Sequence, residues 1–552
     1  MFPRVKRTGT YEYLQIVHNQ RVGGRVCQRV LATLGRLDEL RENGQIDTLV
    51  TALAQFADHT AVLSAYRQGE LPAASAVRIG PDLVFARLWQ EVGAPEVFEK
   101  LLCERQFGFA VERAVYLTVL HRLFCPGSDR AAEVWRENYR IPGTEPLDLH
   151  HLYRAMGWLG SPLPDAQQDG ATGFSPRCTK DLVEEALFER RRDLFTSLSL
   201  VFFDTTSIYF EGEGGQSLGQ HGHSKDHRPD LKQMVVGAVL DSTGYPICCE
   251  LWPGNTADVA TLVPVVTRMR TRFRIEEVCI VADRGMISAK VMEALRSPSL
   301  RCRYILGARM RRTRVVSEEV LARAGRYQVV NGPRVSAKDP SPLEVKEVRA
   351  DGRRFIVCRN QEQARKDRAD RQAILDSLQE ALRRGDKSLI GNDGYRKFLR
   401  TTGGRIFEID EAKVTAEERF DGKWVLETDM DIPADQVALR YKDLWMVEQV
   451  FRTSKSILET RPVFHKRDDT IRGHVFCSFL ALLLLKSLYQ KLEARGWTDV
   501  EWARLRDHLD NLQEVNLELQ GKQFVLRTTP AGDAGKALQA TGVALGPTVR
   551  QV

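Results

Sequence analysis

The sequence predicts an α/β fold: a sheet with parallel strands covered by helices, preceded by a mostly helical N-terminal region and interrupted by a β-rich insertion. Three observations predict it. Two apolar, β-prone runs, Leu198-Ser-Leu-Val-Phe-Phe and Glu277-Val-Cys-Ile-Val-Ala, each stop at an aspartate, Asp204 and Asp283, with a helical pattern between them. A strand, helix, strand connection makes the two strands parallel and sets their carboxyl ends side by side. Apolar residues recur at helical spacing from Pro81 to Leu159, and again over about 438–457 and 470–492. Between Arg309 and Val437 the βα rhythm lapses into short strand-prone segments around one long charged helix.

The 552 residues, 43% hydrophobic and 28% charged, suffice for three or four domains of ~100 to 200 residues. The expected divisions are a basic hairpin and helix (1–60), a helical region (80–178), a first core part (179–308), the insertion (309–437), a second core part (438–492) and a C-terminal region (493–552). A net charge of +7 has the sign that favours a polyanionic partner. The ten cysteines include no CxxC spacing, which argues against structural zinc and thioredoxin-like chemistry and for reduced thiols in an intracellular protein. The basic start lacks a following apolar run, so no secretory signal is read. Val475 to Leu485 is about half the ~20 residues a membrane span needs, so it reads as a core helix and no membrane partner is expected.

Along the chain, Tyr11 to Val17 and Arg25 to Leu31 read as strands joined at Gly23-Gly24, with a helix over about Leu37 to Phe56. Arg4, Lys6, Arg7, Arg21, Arg25 and Arg29 make this unit basic, either as an arm on DNA phosphates or as a solvated face. Thr60 to Pro81 and Ser161 to Pro176 are linkers. In the helical region, Pro95 and Gly108 divide the run and Ser128 is a candidate N-cap. After a helix at about Thr179 to Thr196 comes the strand ending in Asp204. A carboxylate is costly inside a sheet, so Asp204 belongs at the carboxyl-end crevice where α/β sheets place their chemistry. The loop that follows, with His221, His223, Lys225, His227, Arg228 and Asp230, tracks phosphates or is simply solvated; its histidines lack zinc-like spacing. Lys232 to Leu240 and Tyr245 to Trp252 form a strand pair, and a helix over about Ala257 to Thr271 leads to the strand ending in Asp283. Glu448 lies beside the apolar stripe of a helix over about Ala438 to Ile457, where it either pairs with Arg452 or joins the two aspartates.

Asp204-Thr-Thr, Ala282-Asp283-Arg-Gly and Tyr441-x2-Leu444-x3-Glu448-x6-Lys455 resemble the three motifs of bacterial insertion-sequence DDE transposases of the IS-four-type superfamily, over about Leu198 to Leu485. The resemblance implies an RNase H-like core and a triad of Asp204, Asp283 and Glu448 holding two Mg²⁺ ions, with Mn²⁺ as the alternative. It implies phosphate contacts at Tyr441 and Lys455, beside the loop candidates Lys225 and Arg228 and the further candidate Arg284, and Trp424 as the residue that stacks on a base flipped from the transposon end, with packing as a core tryptophan the nearly equal alternative. It further implies double-stranded DNA partners (terminal inverted repeats and target DNA), a homodimer in the synaptic complex, a bacterial cytoplasmic location, and cut-and-paste transposition through a hairpin. The family arginine is Leu444 here, so its phosphate contact is absent or comes from another cation such as Arg440 or Lys442. A nuclease or resolvase that cuts without joining, and a domesticated DNA-binding protein without chemistry, remain the alternatives.

Overall fold

The computed structural model describes residues 1–22, 25–54, 75–169, 171, 175–192, 200–275, 278–298, 300, 302–336, 339–384, 397–402, 406–519 and 522–552. The Gly23-Gly24 turn, Leu198, Ser199, and most of the expected 60–81 linker lie outside them. The chain forms two compact units, one of Met1–Val84, Glu137–Arg140 and Arg495–Val552, the other of Phe85–Arg136 and Ile141–Ala494.

The N-terminal region is mixed rather than mostly helical. Strands β1 (Phe2–Thr8), β2 (Tyr11–Val22) and β3 (Arg25–Arg36) make an antiparallel sheet before the helices Leu37–Glu42 and Gln45–Ala54. Strand β1 was hidden because Arg4, Lys6 and Arg7 break any apolar alternation. The single helix expected after the hairpin is parted at Gly44, whose φ of 62° a non-glycine residue adopts only with strain. A second small sheet in this unit joins β4 (Ser75–Arg78) to strands from the C-terminal region.

The larger unit is built on a nine-stranded sheet. Its first five strands are β5 (Leu200–Tyr209), β6 (Gln233–Asp241), β7 (Pro246–Pro253), β8 (Val278–Ala282) and β9 (Cys302–Gly307). They stand in the order β7-β6-β5-β8-β9, with β5, β8 and β9 parallel and β6 antiparallel to its neighbours, an RNase H-like arrangement. The insertion extends this sheet instead of standing apart: β10 (Gln328–Asn331), β11 (Leu343–Ala350), β12 (Arg353–Arg359) and β15 (Lys423–Thr428) continue it, β15 pairing antiparallel with β9. Among the described residues, the helices Gln361–Arg384 and Glu411–Glu418 and the hairpin β13 (Leu399–Thr402) and β14 (Ile406–Ile409) leave it, around a small core of Leu378, Phe398, Leu399 and Val414, while the helical turn Val315–Val320 packs back on β11 and β12.

Alternation along β5 sorts the core into two faces. Val201 and Phe203 pack with the helices Leu262–Phe273 and Ala289–Arg296, while Phe202 packs with Leu444, Val447 and Phe451 from the helical segment that carries Glu448. The helix Asp468–Glu493 is long and apolar enough to cross a membrane, yet it is buried within this unit and packs against the helix Leu149–Leu159. In the expected helical region, Pro95 starts the helix Ala94–Leu102, and Ser128 Oγ accepts from Ala131 N at 3.2 Å.

Candidate functional site

Strand register brings the two aspartates together. Leu200, Val201 and Phe202 of β5 face Cys279, Ile280 and Val281 of β8, so two more residues along each strand of this parallel ladder set Asp204 opposite Asp283. Adjacent strands lie about 4.8 Å apart, and both residues share the parity of Phe202 and Val281, which face the helix carrying Glu448. Asp204 does not end its strand as expected: it is the fifth residue of β5, whose pairing with β6 runs on through the hydroxyl residues to Tyr209, and its Oδ1 accepts from Thr205 N at 2.7 Å. Burial, with Asp283 and Asp258 nearby, raises the Asp204 carboxyl to about 6, partly offset by Lys225. Asp283 follows the last residue of β8, and its Oδ1 accepts from the Tyr441 hydroxyl at 2.9 Å. Burial and the Asp283 charge push the Tyr441 phenol well above its ordinary range, so it remains a donor.

Glu448 lies in the first turn of the helix Trp445–Ser456, which covers β5 and β6 through Val447 and Phe451. It is exposed, and it does not form the i+4 pair with Arg452 that the sequence offered. An all-oxygen set of crowded carboxylates, one of them held unfavourably charged, fits a hard divalent cation such as Mg²⁺. Among the described residues, the groups that gather three metal-type ligand atoms within 4.8 Å are Asp129 with His465 and His474, and Asp148 with His150 and His151; Asp204, Asp283 and Glu448 are not drawn that close together. The Asp129 group is crossed by Arg122, whose guanidinium lies 2.9 Å from His474 Nδ1.

Of the residues expected to meet DNA, Tyr441 is bonded to Asp283 itself, and Lys225 lies beside Asp204: its Nζ donates to Thr205 O at 2.8 Å and Thr205 Oγ1 at 2.9 Å and pairs with Asp258 at 3.1 Å. Arg284 is exposed directly after Asp283, and its carbonyl accepts from Arg309 Nε at 3.0 Å. Lys455 pairs with Asp226 at 2.8 Å. Arg228 is turned to Asp230 and the outer surface. Trp424 is half-buried against the core on the Asp204 face, near the carboxyl ends of the parallel strands, because Leu426 of β15 pairs with Gly307 of β9. A cavity of about 280 Å³ lined by Ser207, His223, Lys225, Asp258, Gly285 and Arg309 adjoins the crevice. Sequence reasoning missed Asp258, Asp226, Arg309 and Gly307. Gly307 lets the Tyr441 hydroxyl approach, since a Cβ there would stand 2.5 Å from it. Asp258 and Asp226 sit in polar loops, where nothing in a single sequence separates them from other turn carboxylates.

A family described as "Transposase DDE domain" matches residues 196–484, just over half of the chain. The chain belongs to the DDE transposases. A second family, "IS1634 family transposase, N-terminal domain", matches residues 3–64, so the transposase is related to that insertion-sequence family, which implies a bacterial origin. No curated protein matches the transposase. Solved structures that resemble it include two transposase complexes. One is described as "Cryo-EM structure of piggyBac transposase synaptic complex with hairpin DNA (SNHP)", 10% identical over 78% of each chain with a TM-score of 0.38. The other is described as "Mos1 transposase paired-end complex with left transposon end", 15% identical over 36% of this chain and 61% of that one with a TM-score of 0.14. At these scores neither likeness carries an argument about the transposase.

Proposed function

We propose that this DDE transposase is of the IS-four type and moves its element by cut-and-paste, cleaving at terminal inverted repeats, passing through a hairpin, and joining the freed ends to target DNA. Asp204, Asp283 and Glu448 are the residues that hold two Mg²⁺ ions. The observation that carries the reading is the register that sets Asp204 opposite Asp283, on the sheet face covered by the Glu448 helix.

Bound there, divalent ions supply the Lewis acidity that phosphoryl transfer at DNA phosphates requires. The chain's own residues do the positioning. Tyr441 fixes the Asp283 carboxylate, and the Thr205 amide fixes that of Asp204. Glu448, exposed and unpaired, is free to turn toward the aspartates from its helix. Arg284, Lys225 and Lys455 line the approach with positive charge, Trp424 stacks on a flipped base, and Arg228 contacts backbone further out. The element's two ends are held by a homodimer in the bacterial cytoplasm.

The test is incubation of the purified protein with Mg²⁺, a labelled duplex of the inverted repeats flanking its gene, and a plasmid. Joined products are expected. Cuts without joining would make it a nuclease, and shifted but intact DNA a binder. Asp204→Ala, Asp283→Ala and Glu448→Ala should each abolish cutting while leaving end binding intact, and a variant that still cuts removes its residue from the triad.

A further inference from the structure

Leu444 is 7% exposed and packs in the core, and of the two substitutes nearest in sequence for the family arginine one is hydrogen-bonded elsewhere and the other lies further back along the sheet. Lys442 Nζ donates to Ser341 O at 3.3 Å, and Arg440 lies beside Cys279, four residues before Asp283. Two other cations converge on one carboxylate instead. Asp226, its side chain 7% exposed, has Lys455 Nζ 2.8 Å from Oδ1 and Arg461 Nε 3.5 Å from Oδ2. That second separation is too long for a good hydrogen bond, and Arg461 Nε and Asp226 Oδ2 are both buried without a hydrogen-bond partner. Buried donors and acceptors are nearly always paired, so a donor and an acceptor standing apart mark a cradle its occupant fills poorly. A carboxylate matches a DNA backbone phosphate in charge and in presenting two oxygens.

The cradle is also placed to meet DNA running from the aspartates. Lys455 follows Glu448 by seven residues, two helical turns, which puts it on the same helix face and about 10 Å along the axis. That is roughly three base-pair steps at 3.4 Å each. The Arg461 guanidinium lies over the ring of Tyr209 at 5.4 Å, on the strand that carries Asp204. The loop supplying Asp226 also supplies Lys225, which is hydrogen-bonded to Thr205. One short segment therefore holds the cradle and reaches the residue next to Asp204.

We propose that Lys455 and Arg461 form a clamp for a DNA backbone phosphate, that Asp226 occupies it as a surrogate anion until DNA arrives, and that Arg461 takes the place of the arginine missing at Leu444. The inference rests on the reading of the crevice as a DNA-cutting centre. Because a phosphate contact is independent of base sequence, the probe is a fluorescent 40-base-pair duplex of arbitrary sequence, titrated in EDTA at several salt concentrations. Arg461→Ala and Lys455→Ala should each weaken binding about tenfold and lower the salt slope by about 0.9, the contribution of one phosphate contact. Arg461→Lys should keep the slope and regain part of the affinity. Asp226→Asn should bind several-fold tighter than the natural protein. Should Arg461→Ala unfold, Arg461→Gln takes its place, with thermal unfolding followed for every variant. Unchanged affinity and slope in a folded Arg461 variant, or an Asp226→Asn protein that binds no tighter, overturns the clamp. Mg²⁺-dependent cutting by the natural protein, assayed in parallel, separates the two readings: its absence sinks the catalytic centre while the duplex titration still decides the clamp.

Discussion

Tyr441 donates its hydroxyl hydrogen to Asp283 Oδ1 across 2.9 Å, so the helix Ala434–Lys442 fixes a carboxylate at the end of β8. The bond depends on Gly307 at the end of the neighbouring strand, where any side chain would meet the same hydroxyl. Three segments distant in sequence thus orient one carboxylate.

Tyr441→Phe removes a hydrogen bond to a charged acceptor, a contact of about 1.5–3 kcal/mol. The carboxylate then wanders, and at 1.4 kcal/mol per factor of ten the Mg²⁺ concentration for half-maximal cutting should rise roughly tenfold or more. Gly307→Ala should do the same with Tyr441 intact, because its methyl would stand 2.5 Å from the hydroxyl. Cutting rates across a Mg²⁺ titration check both, and an unchanged midpoint in Tyr441→Phe removes the residue from the site's support.

Asp204 gives a pH-dependent prediction. Its folded carboxyl titrates at about 6, against 3.8 ordinarily, because burial disfavours its charge. Between those values the folded state holds the proton more tightly than the unfolded state, so this group's contribution makes stability fall as pH rises. Below about 4 both states are protonated and there is no penalty; above about 6 the penalty is complete, on the order of 3 kcal/mol. Asp204→Asn should therefore raise the melting temperature by a few degrees at pH 8 in EDTA and by nothing at pH 4. Mg²⁺ should stabilise the natural protein more than the variant. A variant no more stable than the natural protein at pH 8 contradicts the assignment of strain to this carboxylate.

Gly473 sits where the helix Asp468–Glu493 crosses the helix Leu149–Leu159, and a Cβ there would stand 2.0 Å from Met156 O. Backbone cannot yield as a flexible side chain can. Gly473→Ala should cost about 1–3 kcal/mol, read as a lower urea midpoint. Gly535→Ala, with open space around its Cβ, is the control expected to show no such loss.

The parts legible in the sequence were those governed by local pattern. The strands around Asp204 and Asp283, the hairpin of β2 and β3, and the helices from Gly80 to Leu159 follow apolar period and turn chemistry. Two features were illegible because they depend on pairing across long sequence gaps. That the insertion continues the sheet shows only when Leu426 is seen facing Gly307, and β1 is held by β2 although three of its seven residues are basic. The crevice was half-legible for the same reason. Asp204 and Asp283 announce themselves by ending apolar runs, whereas Asp258 and Asp226 matter only through Lys225, Lys455 and Arg461, which the fold brings to them.

On the sheet face opposite the crevice helix, Arg272 is buried in a network that joins the helix Thr179–Arg191, β7 and the helix Leu262–Phe273. Its guanidinium meets Glu184 at 2.6 Å, Glu185 at 2.8 Å, Glu250 at 3.0 Å and Asp181 at 3.2 Å. Lys180 and Arg268 complete the set: Lys180 pairs with Asp181 and Glu184, and Arg268 with Glu250. Lys180, Arg268 and Arg272 thus balance Asp181, Glu184 and Glu250, all buried. Burial already pushes the Glu184 carboxyl upward, so it has little tolerance for losing a cation. Arg272→Met should leave an uncompensated negative charge in the dry interior and cost about 3–5 kcal/mol, lowering the urea midpoint. Adding Glu184→Gln removes one negative charge, so the double variant should lose less than the sum of the two single variants. Strict additivity would mean that these residues contribute through packing rather than as a charge network.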